Sequence, residues 1–172
     1  MRIQHIWARG FYRVQCLEHL IFPEGMQVET DQVRARVSAL PIHDTLRPTP
    51  AEDVIDVLMK ISTQENLPSG TVLFAKGDPS IDDGVILLEG EVSVMKDGFP
   101  EIIAAAPELL GEMGRLNPTG QRTATVTAVT ELTLLRFKWT EFMREAGLRL
   151  SEAELEKISS ALQEYAWQHF TQ

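Results

Sequence analysis

Residues 110–126 read LGEMGRLNPTGQRTATV, and how they are read decides the fold. Gly111 stands before a short helix-like run, where the missing side chain lets a ligand approach the backbone and the unpaired amides of a first helical turn favour an anion. Glu112 is a poor contact for a phosphate and a good acceptor for a sugar hydroxyl. Ten residues on, Arg122 carries the planar fork that suits phosphate oxygens, and its charge offsets the cost of burying an anion. One ligand with both a phosphate and a hydroxylated ribose accounts for the two residues. A mutual salt bridge at the edge of an empty barrel accounts for them without a ligand.

Around this stretch the pattern is one of short strands punctuated by glycine: TVLFAKGD (71–78), GVILLEGEVSVMKDG (84–98), EIIAAA (101–106), RTATVTAV (122–129) and ELTLLRF (131–137). They predict an antiparallel β domain from Gly70 to Phe137. Asp97-Gly98 is a strong hairpin signal, and Gly90 interrupts an apolar run where a strand must bend or bulge. Strands this short, with turns this close, favour a barrel or jelly roll over an open sheet. Gly70, Gly77 and Gly90 are read as turn and bulge residues that speak for the fold alone.

Helices flank the β segment. Thr49-Pro50-Ala51-Glu52 offers a cap, a proline suited to the first helical position and an early glutamate, predicting a helix to about Ser62 with Val54, Val57, Leu58 and Ile61 as its buried stripe. WTEFMREA (139–146) reads as a short helix broken at Gly147. Ser151-Glu152-Ala153-Glu154 is a capping box opening a last helix to about Phe170, with Leu155, Ile158, Leu162 and Tyr165 three or four residues apart. With only two heptads that seam is taken to dock on the barrel; a homodimer or protein partner through this helix is the alternative.

Upstream, Ile3, Ile6, Trp7, Phe11, Val14, Leu17 and Ile21 suit an amphipathic helix over 1–22. A second short helix is expected from Asp31 to Leu40, capped by Thr30, with Val33 and Val37 on one side. PIHDTLRPTP (41–50) reads as a linker without regular structure. The expected division is an N-terminal helical extension with linker, 1–48, and one domain, 49–172, whose roll occupies about 65–137 and whose C-terminal helices occupy about 138–170.

Composition narrows the function classes. The 172 residues are 44% hydrophobic and 24% charged, an ordinary globular balance without an apolar run long enough to span a membrane. A net charge of -9 would repel a nucleic-acid backbone, and no segregated basic face offsets it, although a small anion in a local pocket is compatible with it. The single Cys16 forms no internal disulfide or metal cluster, so a cytoplasmic location is the default expectation. Residues 1–17 carry arginines and no acid, yet lack the serines of a transit peptide and the apolar core of a secretory signal.

The residues quoted at the outset resemble the phosphate-binding cassette of cyclic nucleotide-binding domains, the family that includes the bacterial catabolite activator protein and the regulatory subunits of protein kinase A. The resemblance rests on Gly111-Glu112, the interval to Arg122 and Thr123-Ala124, downstream of Gly70, Gly77-Asp78 and Gly90 in family-like order. It covers roughly residues 49–170 and implies a mainly β, α+β fold: an antiparallel β-roll, or double-stranded β-helix jelly roll, with a leading helix, a cassette helix, and C-terminal hinge and lid helices. It further implies that Glu112 binds a ribose 2′-hydroxyl, that Arg122 and the amides around Met113 and Gly114 bind the phosphate, and that Thr123 adds a hydroxyl contact. The ligand would be cAMP or cGMP, with no other cofactor. Tyr165 and Trp167 on the last helix would be lid residues over the base, although core packing is the commoner role for such aromatics. Arg115 occupies a position the family usually gives to an aliphatic residue, and a solvated side chain is expected there.

His5, His19, His43 and His169 all lie outside the β segment, so no histidine-bound metal is expected inside the barrel, and no nucleophile, base and orienting acid can be assembled there. The thirty residues after Phe142 are too few for a winged-helix DNA-binding domain. The expectation is therefore a non-catalytic sensor with no DNA or membrane partner. The alternative is a ligand-free scaffold of the same fold that mediates protein contacts.

Overall fold

The structure, a computed structural model, describes residues 24–46 and 51–170. The helix expected over 1–22 and the Thr49-Pro50 cap lie outside the described residues, as does the boundary placed between 48 and 49. Three helices come first: α1 (Glu24–Ser38), α2 (Ile42–Leu46) and α3 (Ala51–Ile61). Eight strands follow: β1 (Thr63–Leu67), β2 (Val72–Phe74), β3 (Asp83–Glu89), β4 (Glu91–Met95), β5 (Ile102–Ala105), β6 (Glu108–Leu110), β7 (Thr125–Ala128) and β8 (Leu132–Lys138). Between β6 and β7 lies α4 (Glu112–Leu116), and after β8 come α5 (Trp139–Ala146) and α6 (Glu152–Phe170).

The strands form two four-stranded sheets, β1-β8-β3-β6 and β2-β7-β4-β5, with every pairing antiparallel. This is the expected β-roll with flanking helices. Gly90 is its corner: the chain leaves β3 in one sheet and enters β4 in the other, at a φ of 96°. A Cβ there would lie 2.4 Å from the Glu131 carbonyl oxygen, so both backbone conformation and space require glycine.

In the middle of the first sheet β3 is buried on both faces, which is why it reads as a continuous apolar run. Val85 and Leu87 point into the roll with Leu132, Leu134, Val92 and Val126, while Ile86 and Leu88 point out to the helices. The helical core gathers Val54, Ile55, Val57 and Leu58 of α3, Trp139 and Phe142 of α5, and Ile158, Leu162 and Tyr165 of α6 against Leu135 and Phe137. Thus α6 docks on its own domain, packing against α2 and α4. Its start is the expected capping box, in which the Glu154 carboxylate accepts from both the amide and the hydroxyl of Ser151, at 2.8 and 2.7 Å.

Two upstream expectations need correction. The helix expected from Asp31 begins at Glu24, so Thr30 lies inside it and does not cap it. The linker reading of 41–50 fails at Ile42–Leu46, which is helical: Ile42 and Leu46, one turn apart, are buried in the helical core. Flanking prolines dominated the sequence pattern, but burying that apolar pair favours a single helical turn. Ion pairs fasten α1 to the body, with Arg34 donating to Asp56 and Glu52 at 2.7 and 2.6 Å. No helix among the described residues is long and apolar enough to cross a membrane.

Candidate functional site

The last three residues before the site, Glu108–Leu110, form β6 on the edge of the first sheet, and Leu110 points into the roll. The chain then turns through Gly111 at a φ of 98° and enters α4. The turn is crowded as well as left-handed. A Cβ on Gly111 would meet the Asp83 carbonyl oxygen at 2.7 Å, an Arg122 guanidinium nitrogen at 3.0 Å and the Phe74 ring at 3.1 Å. No side chain caps α4, so its first amides are not committed to a capping residue.

From α4 the chain returns through a turn closed by Asn117, whose side chain donates to the Gln121 carbonyl at 2.7 Å. Arg122 is then locked to the loop after β2: its amide donates to the Asp78 carbonyl at 2.8 Å, and its carbonyl accepts from the Gly77 amide at 2.9 Å. That tether explains why the Gly77-Asp78 turn matters to a residue more than forty positions away. The guanidinium donates to the carbonyls of Gly111 (3.1 Å) and Asp83 (2.8 Å) and lies 3.9 Å from the centroid of the Phe74 ring.

Arg122 is 4% exposed and Glu112 2% exposed, yet they form no ion pair with each other. One carboxylate oxygen of Glu112 is buried without any hydrogen-bond partner. Burial raises the Glu112 pKa from 4.5 to about 7, opposed by the amides of Glu112 and Met113 and by the Arg122 charge. Burial also lowers the Arg122 pKa, against the attraction of Asp83, Asp78 and Glu112. The guanidinium has five N–H donors, and the two carbonyls are neutral partners, so its positive charge remains uncompensated by an ion pair.

All six cassette residues, Gly111, Glu112, Met113, Gly114, Arg122 and Thr123, line one open-mouthed cavity. Phe74, Leu110, Ala124 and Val126 close its floor, and the β4–β5 hairpin contributes Val94, Lys96, Phe99, Pro100 and Ile102. Sequence reasoning missed Phe74, Lys96 and Phe99. Only the Asp97-Gly98 hairpin signal lay near any of them, and it says nothing about a cavity. Arg115 is exposed, as expected.

Tyr165 is not at the cavity. It is 1% exposed in the helical core, because the Ile158-Leu162-Tyr165 stripe turns inward, and this corrects its reading as a lid over the base. The side chain of Trp167 lies outside the described part of α6. Among the described residues no group of His, Cys, Asp and Glu could hold a metal ion.

Comparison with known proteins agrees with this geometry. The family model described as the cyclic nucleotide-binding domain matches residues 64–146. The regulatory domain of Toxoplasma gondii PKA, solved with cAMP, superposes with a TM-score of 0.58 at 19% identity, covering 78% of this chain and 48% of that one. The catabolite activator protein of Thermus thermophilus superposes with a TM-score of 0.55 at 20% identity, covering 74% of this chain and 58% of that one. This chain therefore spans about half the length of those structures, and at such identities the likeness is one of fold. No curated protein matches by sequence. The match to the cyclic nucleotide-binding domain thus falls on residues 64–146, the stretch that carries the roll and the cassette residues lining the cavity.

Proposed function

We propose that the domain is a regulatory, non-catalytic sensor that binds a cyclic nucleotide, cAMP or cGMP, in this cavity and passes the event on through α5 and α6. One observation carries the reading: a buried carboxylate oxygen without a hydrogen-bond donor and a buried guanidinium without a counter-anion line the same cavity. A ribose hydroxyl would satisfy the first and a cyclic phosphate the second, and leaving either group unmet in a dry site is costly. The amides around Met113 and Gly114 would share the phosphate, and Thr123 would add a hydroxyl. The output is a population shift, as large as the ligand's preference for one arrangement of the C-terminal helices.

Calorimetric titration of protein freed of nucleotide, with cAMP and with cGMP, tests the reading. Binding should be lost in Glu112→Ala and weakened by well over tenfold in Arg122→Lys, which keeps the charge but not the two-pronged donor. At a hundredfold excess over Kd the ligand should stabilise the fold by about 2.7 kcal/mol. No heat and no thermal shift with either nucleotide would leave the ligand-free scaffold as the function.

A further inference from the structure

Lys96 is the one polar side chain on the described cavity wall that does not belong to the cassette. It follows the end of β4, where Met95 pairs with Thr125, and so lies alongside the strand that leaves the cassette. The side chain is half-buried, and its ammonium sits 4.6 Å from the centroid of the Phe99 ring. The hairpin's two carboxylates are already engaged, Asp97 by the ammonium of Lys76 and Glu101 by the hydroxyl of Ser93. Among the described residues no ion pair occupies Lys96. Phe99, for its part, leaves 45% of its surface exposed.

If Glu112 and Arg122 hold ribose and phosphate, the base has the hairpin wall left to it: Val94, Lys96, Phe99, Pro100 and Ile102. Four of these are apolar and suit the faces of a purine. The fifth carries three donors and no acceptor. Beside the N7 acceptor that both bases share, guanine adds a second acceptor, its 6-carbonyl, whereas adenine adds a 6-amine that confronts a lysine with another donor. We propose that Lys96 selects a 6-keto purine, so that the domain prefers cGMP to cAMP. This inference rests on the sensor reading above and names the ligand class within it.

The test is titration of the whole chain with cGMP, cAMP and cyclic inosine monophosphate, which carries the 6-keto group without the 2-amino group, on the natural protein and on Lys96→Met. The inosine and guanosine nucleotides should bind alike and roughly tenfold tighter than cAMP. Lys96→Met should bring all three within about twofold of one another, the scale on which a lost charge-assisted hydrogen bond disappears. The natural protein's own ranking needs no variant, so a folding defect in Lys96→Met leaves the comparison intact. Equal or tighter binding of cAMP by the natural protein overturns the inference and leaves the sensor intact. So does an equal loss for all three nucleotides in Lys96→Met, which would assign the ammonium to the phosphate. Failure of all three to bind the natural protein overturns the sensor reading itself.

Discussion

Glu112 is poorly placed for an empty domain. Its carboxylate is buried, one oxygen lacks a donor, and its pKa rises from 4.5 to about 7. A rise of that size corresponds to roughly 3 kcal/mol in favour of the protonated form. Between those two values the native state binds a proton that the unfolded state has released, so the Glu112 contribution to stability falls as pH rises through that window. Buried His43, whose pKa is lowered chiefly by burial, acts in the opposite direction, because acid favours its protonated unfolded form. The informative quantity is therefore the difference between the natural protein and Glu112→Gln in urea unfolding, measured without nucleotide from pH 5 to pH 8. Glu112→Gln should be the more stable by a margin that grows with pH to about 3 kcal/mol, while losing affinity for nucleotide. A pH-independent difference would mean that Glu112 finds compensation in the empty site.

At the scale of elements, the cassette works because a strand can end, reverse and become a helix within one residue. Gly111→Ala forces a side chain into a left-handed turn and against the Asp83 carbonyl, the Arg122 guanidinium and the Phe74 ring. It should destabilise the domain by about 1–3 kcal/mol and abolish nucleotide binding, both readable from thermal melts with and without ligand. A variant that melts and binds like the natural protein would show that α4 can be entered another way. This turn was legible in the sequence, as were Gly90, the Asp97-Gly98 hairpin, and the Ser151-Glu154 cap, since each depends on residues adjacent in the chain. By contrast, β1 reads TQENL and is largely exposed; it is a strand only because β8 pairs with it, with Arg136 bonded to Glu65 at 2.9 Å. The three residues of β6 are too few to display a period. The partners of Arg122 were equally hidden, because the Asp83 carbonyl and the Phe74 ring arrive from strands thirty-nine and forty-eight positions upstream. Backbone carbonyls leave no mark on a sequence.

Across the whole molecule, the same arginine lies two residues from the helix that would carry the signal away. The Arg122 guanidinium holds the carbonyl of Asp83, and the preceding Asp82 caps α5 from outside, accepting from the Thr140 amide at 2.9 Å and hydroxyl at 2.8 Å. The Asp82 carbonyl also accepts from the Trp139 amide at 2.8 Å, while Lys138, the residue at the cap position itself, supplies no side-chain capping bond and pairs instead with the Asp83 carboxylate at 2.6 Å. Further along, the Lys60 ammonium binds Glu145 and keeps its pKa low, tying α5 to α3. A phosphate that competes for Arg122 would thus change the grip on Asp83 and, through one peptide unit, the cap of α5. Spatial continuity alone does not make a pathway, so the link needs a variant that breaks it while sparing the cavity. Asp82→Ala removes the capping carboxylate, at about 1 kcal/mol of stability, and Asp82 is not among the residues that line the cavity. In hydrogen exchange, nucleotide should slow the amides of α5 and α6 in the natural protein. Asp82→Ala should keep nucleotide affinity within about threefold, as expected for a residue outside the cavity, yet lose most of that added protection. Full protection in the variant would route the signal instead through the packing of α4 against α6, and Asp82 would be a helix cap and nothing more.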